Sequence, residues 1–117
     1  KLNAGALPQP ALHMLQAGHG STIEFVPLAD VIYLEAADKY VRVITNGKEH
    51  LLRTSLRELL PQLDAQAFWQ VHRSVVVRAS AIASAARDEQ GRLSLNLRGV
   101  TAKLPVSRLY AHLFRAM

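Results

Sequence analysis

A mainly β domain of short strands with two short helices is the fold class this 117-residue sequence predicts. Three observations lead there. Apolar or alternating runs of four to six residues recur at hairpin spacing. Turn-forming Gly, Asn, Asp and Pro separate them, and only two stretches carry helical periodicity. Residues 1–10 (KLNAGALPQP) show no period and read as linker, and residues 11–117 read as one domain.

Taken in order, Leu12–Gln16 and Thr22–Val26 are expected strands joined by the Gly-rich loop Ala17-Gly18-His19-Gly20-Ser21. Pro27 lacks a backbone donor and ends the second. Val31-Ile32-Tyr33-Leu34-Glu35 is a continuous apolar run, the pattern of a strand covered on both faces. Tyr40–Thr45 and Lys48–Arg53 flank Asn46-Gly47, a strong signal for a two-residue hairpin turn. Ser55 and Glu58 have capping-box spacing. Leu56, Leu59, Leu60 and Leu63 share one helical face behind them, and Pro61 keeps that helix short. Phe68–Val71 and Val75–Val77 are expected strands around the polar triplet His72-Arg73-Ser74. Ile82–Arg87 is a strand poor in packing side chains, whereas Leu93–Leu97 alternates strictly, as a half-exposed antiparallel strand does. Thr101–Leu104 is expected to pair next. Ser107 is expected to cap a last helix with Val106, Leu109, Tyr110, Leu113 and Phe114 as its apolar stripe.

Half of the residues are hydrophobic and 20% are charged, the balance of a globular chain rather than a disordered one. The length suits a single core-bearing domain. Charge is unevenly placed. Residues 70–117 hold eight Lys/Arg against Asp88 and Glu89, a net of +6, while residues 1–69 hold six bases and seven acids, a net of −1. Such asymmetry points to a polyanionic partner. Nucleic acid fits it, and so does an acidic protein. The absence of cysteine excludes a disulfide framework and suits a cytoplasmic setting. No apolar run approaches the ~20 residues that span a bilayer. The chain opens on Lys1, with no signal-peptide pattern, and is expected to be a fragment of a longer protein.

Within Phe68–Arg78, a His-Arg-Ser turn stands between two apolar strands. Arginine there can present a planar fork of donors on a rigid support, a shape that suits phosphates and the guanine edge. His13, His19, His50 and His112 form no metal spacing, and no cofactor motif occurs. Ser74 lies near His72, yet no nucleophile elbow, oxyanion glycine cluster or paired carboxylate accompanies them, so no enzymatic activity is expected.

Four stretches in order carry a further resemblance. They are Asp30-Val31-Ile32-Tyr33-Leu34-Glu35-Ala36 followed by Lys39-Tyr40-Val41, the helix start Ser55-Leu56, the segment Phe68…Val71-His72-Arg73-Ser74, and Leu104-Pro105-Val106-Ser107-Arg108. Together they resemble the LytTR family, the DNA-binding output domain of LytR/AlgR-type bacterial response regulators, from about Leu12 to Phe114. The resemblance implies an elongated arrangement of small β-sheets, a β-β-β sandwich, that offers loops rather than a recognition helix to successive grooves of the duplex. No cofactor is expected. The resemblance also implies binding to direct repeats as a homodimer on DNA, driven by an N-terminal receiver or other regulatory domain.

Carried onto this chain, the contacting segments are Lys39 to Arg42, His72 to Ser74, and Ser107 with Arg108. Arg73 and Arg108 are the expected base readers. Ser107 is both cap and phosphate candidate, because helix starts bind anions. Lys39 has an equal reading as a solvated loop lysine. Tyr40 reads more simply as rim packing, and Arg42 as a phosphate contact. His72 reads more simply as a hydrogen-bonded turn residue. Arg78 stands where the family usually has Asn, and is a phosphate candidate at the expense of the turn geometry that Asn favours. The alternative is a basic β-rich interaction or sensory module for an acidic partner. RNA is disfavoured, because most of the seven aromatics sit in apolar runs.

Overall fold

The structure, a computed structural model, describes residues 12–116. The expected linker 1–10 lies outside the described residues. Among the described residues, ten strands form three antiparallel sheets. The central one has five, ordered β5 (Lys48–Leu52), β4 (Tyr40–Thr45), β3 (Val31–Ala37), β7 (Val75–Arg78) and β6 (Phe68–His72). The hairpin β1 (Met14–His19) with β2 (Thr22–Pro27) covers one face, and a three-stranded sheet covers the other in the order β10 (Lys103–Val106), β9 (Leu93–Leu97), β8 (Ile82–Arg87).

Burial on both faces explains why β3 reads as an unbroken apolar run. Val31 and Leu34 enter the core beneath the hairpin, with Leu15, Val26, Val41, Val43 and Phe68. Ile32 and Tyr33 enter the core beneath the three-stranded sheet, with Val71, Val75, Val77, Leu95 and Leu104. A bulge between Val31 and Tyr33 lets two consecutive side chains serve one face. Leu34, Leu95, Val41 and Val71 are fully buried, each contributing about 1.5–3 kcal/mol of apolar transfer. Three thin layers make a slab of 48 × 44 × 24 Å. Its radius of gyration, 15.6 Å, exceeds the about 13 Å of a compact domain of this length, so the shape is extended.

Local chemistry sets the element ends. Ser55 accepts from the Glu58 backbone N–H at 3.1 Å and donates its hydroxyl to the Glu58 side chain at 3.2 Å, so the expected cap is present. Helix α1 spans only Leu56–Leu59 before Pro61 turns the chain into a 3-10 segment, Leu60–Gln62.

Four elements depart most from the sequence expectation, while β2, β5, β6 and β7 each end one residue away from it. β1 runs on through Gly18 to His19, and the expected five-residue loop contracts to Gly20-Ser21, where Gly20 takes a positive φ of 61°. β3 continues to Ala37. β10 begins at Lys103 and includes Pro105, which an edge strand tolerates because its missing donor faces away from the ladder. The last helix is a 3-10 segment, Arg108–Leu113, and the Ser107 side chain makes no capping hydrogen bond. Leu109 is 72% exposed, so the expected apolar stripe does not form as a whole. Tyr110 and Phe114 remain half-buried, and Phe114 packs on Trp69 with ring centroids 6.0 Å apart.

Candidate nucleic-acid interface

Register brings three separate turns to one end of the slab. The turn Asp38-Lys39 links β3 to β4, and Arg73-Ser74 links β6 to β7. Because Glu35 pairs with Val75, the C-terminal end of β3 lies beside the start of β7, and the Ala36 N–H donates to the Ser74 carbonyl at 2.8 Å. The Ser107 N–H donates to the Val71 carbonyl at 2.9 Å, which fastens the start of the last 3-10 segment beside the same hairpin. Two backbone hydrogen bonds therefore bring the segments that carry Lys39, Arg73 and Arg108 to the same end of the slab. All three side chains are exposed, and none has an ion-pair partner among the described residues. Unpaired guanidinium groups on rigid turns are free to fork a phosphate or a base edge.

The Arg73 turn is held from within. The Ser74 N–H donates to His72 Nδ1 at 3.2 Å, and the Ser74 hydroxyl lies 2.9 Å from the same nitrogen. An accepting Nδ1 puts the proton of a neutral ring on Nε2. The ring thus acts as an Asx side chain does in its own turn, accepting from the backbone two residues on. Gln70 adds a bond from Nε2 to the Arg73 carbonyl at 3.4 Å. Sequence reasoning missed Gln70, for its only signal is a position three residues before Arg73.

Arg42 lies in different surroundings. Its Nε and Nη2 fork the Glu49 carboxylate at 3.2 and 2.9 Å, and its Nη1 bonds Glu35. The Glu49 hydrogen bond raises the Arg42 pKa above its ordinary value, and the same bond holds the Glu49 carboxyl below its own. Glu35 therefore engages Arg42 rather than Arg73. A phosphate contact by Arg42 would compete with two carboxylates.

Arg78 sits at the other end of its hairpin, opposite Phe68. Its Nε donates to the Val31 carbonyl at 2.8 Å, and its guanidinium carbon lies 4.6 Å from the Phe68 ring centre. Burial lowers its pKa, and Asp30 partly offsets this. The sequence expectation of a phosphate contact meets a guanidinium already occupied far from the Arg73 turn. Tyr40 is 37% exposed at the rim, next to Lys39. Ser107 is half-buried, and its N–H is already spent on Val71. Among the described residues no group of His, Cys, Asp or Glu could hold a metal ion, and no helix is long and apolar enough to cross a membrane.

Comparison with known proteins bears on family and fold. Residues 21–117 match the profile of the LytTr DNA-binding domain. An uncharacterized response regulatory protein of Vibrio cholerae is 39% identical over 105 residues, covering 86% of this chain and 40% of the relative. The CO-responsive transcriptional regulator RcoM of Rhodospirillum rubrum is 35% identical over 106 residues, covering 91% of this chain and 45% of the relative. This chain thus spans less than half the length of either. Among solved structures, the LytTr DNA-binding domain of a methyl-accepting/DNA response regulator from Bacillus cereus superposes with a TM-score of 0.78 at 28% identity, covering 90% of this chain and 95% of that one. With three small antiparallel sheets, turns gathered at one end and a family match over most of its length, this chain belongs to the LytTR family of DNA-binding domains.

Proposed function

We propose that this domain binds double-stranded DNA sequence-specifically as the output module of a bacterial transcriptional regulator, reading it with turns rather than a helix. The observation that supports the reading is that exposed Lys39, Arg73 and Arg108 stand on segments joined by the Ala36–Ser74 and Val71–Ser107 backbone bonds. Arg73 and Arg108 read base edges in neighbouring major-groove segments, while Lys39, Tyr40, His72 and Ser74 position the backbone. Two copies on direct repeats, and a receiver or other sensory domain elsewhere in the protein, complete the scheme, which operates in the cytoplasm. Relatives named as a response regulator and as a CO-responsive regulator support a common output module under different sensors.

The test is selection of bound duplexes from a random library, followed by titration of the selected duplex against salt. About five phosphate contacts give a log–log slope near −4 to −5. Arg73→Ala should reduce preference for the selected duplex over a scrambled one by about 1–3 kcal/mol. Absence of duplex binding at low salt overturns the reading. A preference left intact in Arg73→Ala removes the assignment of that residue.

A further inference from the structure

A fourth segment reaches the same end of the slab. Val106 pairs with Leu93 across β10 and β9, and Arg87 pairs with Leu93 across β8 and β9. The turn from Asp88 to Arg92 therefore lies at the same end of the three-stranded sheet as Ser107 and Arg108. Beyond Ile82, every residue of β8 is exposed, so this strand adds no further side chain to the core, while Leu93, Leu95 and Leu97 of β9 anchor the hairpin. The turn itself is exposed throughout and firmly built. Asp88 Oδ1 accepts from the N–H groups of Gln90 and Arg92, both at 2.9 Å, and the Gly91 N–H donates to the Asp88 carbonyl at 3.0 Å. Gly91 supplies the positive φ of 80° that the turn needs.

Two arginines flank it. Arg87 lies on the rim with Nη1 on the Gly91 carbonyl at 3.3 Å, and the Arg92 side chain is 76% exposed, with Nε 3.3 Å from Asp88 Oδ2 and Nη2 on the Gln90 side-chain oxygen. Asp88 spends its carboxylate on the turn and on Arg92, so of the two acids in this turn only Glu89 lacks an ion-pair partner among the described residues. We infer that the β8–β9 turn is a further duplex contact, in which Arg87 and Arg92 grip the phosphodiester backbone beside the segment read by Arg108. The inference rests on the DNA-binding reading and adds to it a clamp that fixes register without reading bases. With longer dimensions of 48 and 44 Å, the slab can follow more than one helical repeat of about 34 Å.

Salt titration of single-charge variants tests it, using the selected duplex and a scrambled one of equal length. Arg92→Gln should make the log–log slope shallower by about one on both duplexes, leaving the ratio of their affinities unchanged. Glu89→Gln should tighten both by a few-fold. Lys103→Gln, an equal loss of charge about 10 Å down the same sheet, should leave the slope within error of wild type. An unchanged slope in Arg92→Gln, a Glu89→Gln that fails to tighten, or an equal effect of Lys103→Gln each overturns the clamp. All three leave the domain's DNA binding standing, because Arg73→Ala tests that separately. A wild-type protein that ignores duplex overturns both together.

Discussion

Arg73 and Arg78 belong to one hairpin and meet opposite surroundings. Arg73 stands on the turn with its side chain exposed, whereas Arg78 lies against Phe68 and the Val31 carbonyl. Removing the first deletes a group facing solvent. Removing the second leaves a carbonyl of fully buried Val31 without its donor and strips the cation from the ring. Arg78→Ala should therefore lose about 2 kcal/mol of stability, from an unpaired acceptor and a lost cation–π contact. Arg73→Ala should stay within about 0.5 kcal/mol of wild type, the usual range for an exposed substitution. Urea midpoints at constant slope measure both. Equal midpoints for the two variants would sink the distinction. The same pair shows what single residues disclose in sequence. Both arginines lie within two residues of a valine, and only the neighbours across the sheet separate a free guanidinium from a half-buried, engaged one.

Among the elements, the two serines expected to cap helices behave differently. Ser55 makes its cap, so Ser55→Ala should cost about 0.5–2 kcal/mol. Ser107 has no side-chain cap bond, and its backbone N–H, which serves Val71, survives substitution. Ser107→Ala should leave the thermal midpoint almost unmoved. A shared loss in both variants would contradict the assignment of the last segment. Turns offer a parallel test. Gly47 takes φ 79° with open space where a Cβ would stand, so Gly47→Ala should cost about 1–2 kcal/mol through backbone strain alone. The hairpins were readable because a period of two and turn dipeptides are local signals. The last helix misled because its stripe at 109, 110, 113 and 114 suits 3.6 residues per turn, while the segment closes on i to i+3 bonds such as Tyr110 N–H to the Ser107 carbonyl and leaves Leu109 exposed. The Arg42 partners were hidden for a related reason. Alternation put Arg42 on a polar face, but Glu35 and Glu49 arrive there only through the registers of β3 and β5.

Across the whole molecule, the candidate site was legible as segments and not as an arrangement. Arg73, Arg108 and Lys39 lie far apart in the chain, and a pattern of runs and turns does not say which strand ends meet. Charge illustrates the same limit, since the pairs joining layers are long-range. Glu24 of β2 bonds Lys48 of β5 at 2.7 Å and lies 3.3 Å from Nδ1 of buried His50, so it fastens the outer hairpin to the edge of the central sheet. Lys48 holds the Glu24 carboxyl below its ordinary value of 4.5. Arg42 does the same for Glu49, and the Arg92 backbone N–H for Asp88, whose ordinary value is 3.8. Carboxyls depressed in the folded state stabilise it fully above their ordinary values, and that stabilisation is lost as pH falls through the depressed ones. The urea midpoint should therefore be insensitive to these groups between pH 7 and about 5.5, then fall steadily below about 4.5. All three carboxyls are solvent-accessible, so added salt should flatten the acid limb. Glu24→Gln, which keeps the shape and removes the charge, should flatten it as well, by releasing the hairpin's link to Lys48. An acid limb identical in wild type and Glu24→Gln would show that the layers are held by their apolar cores alone.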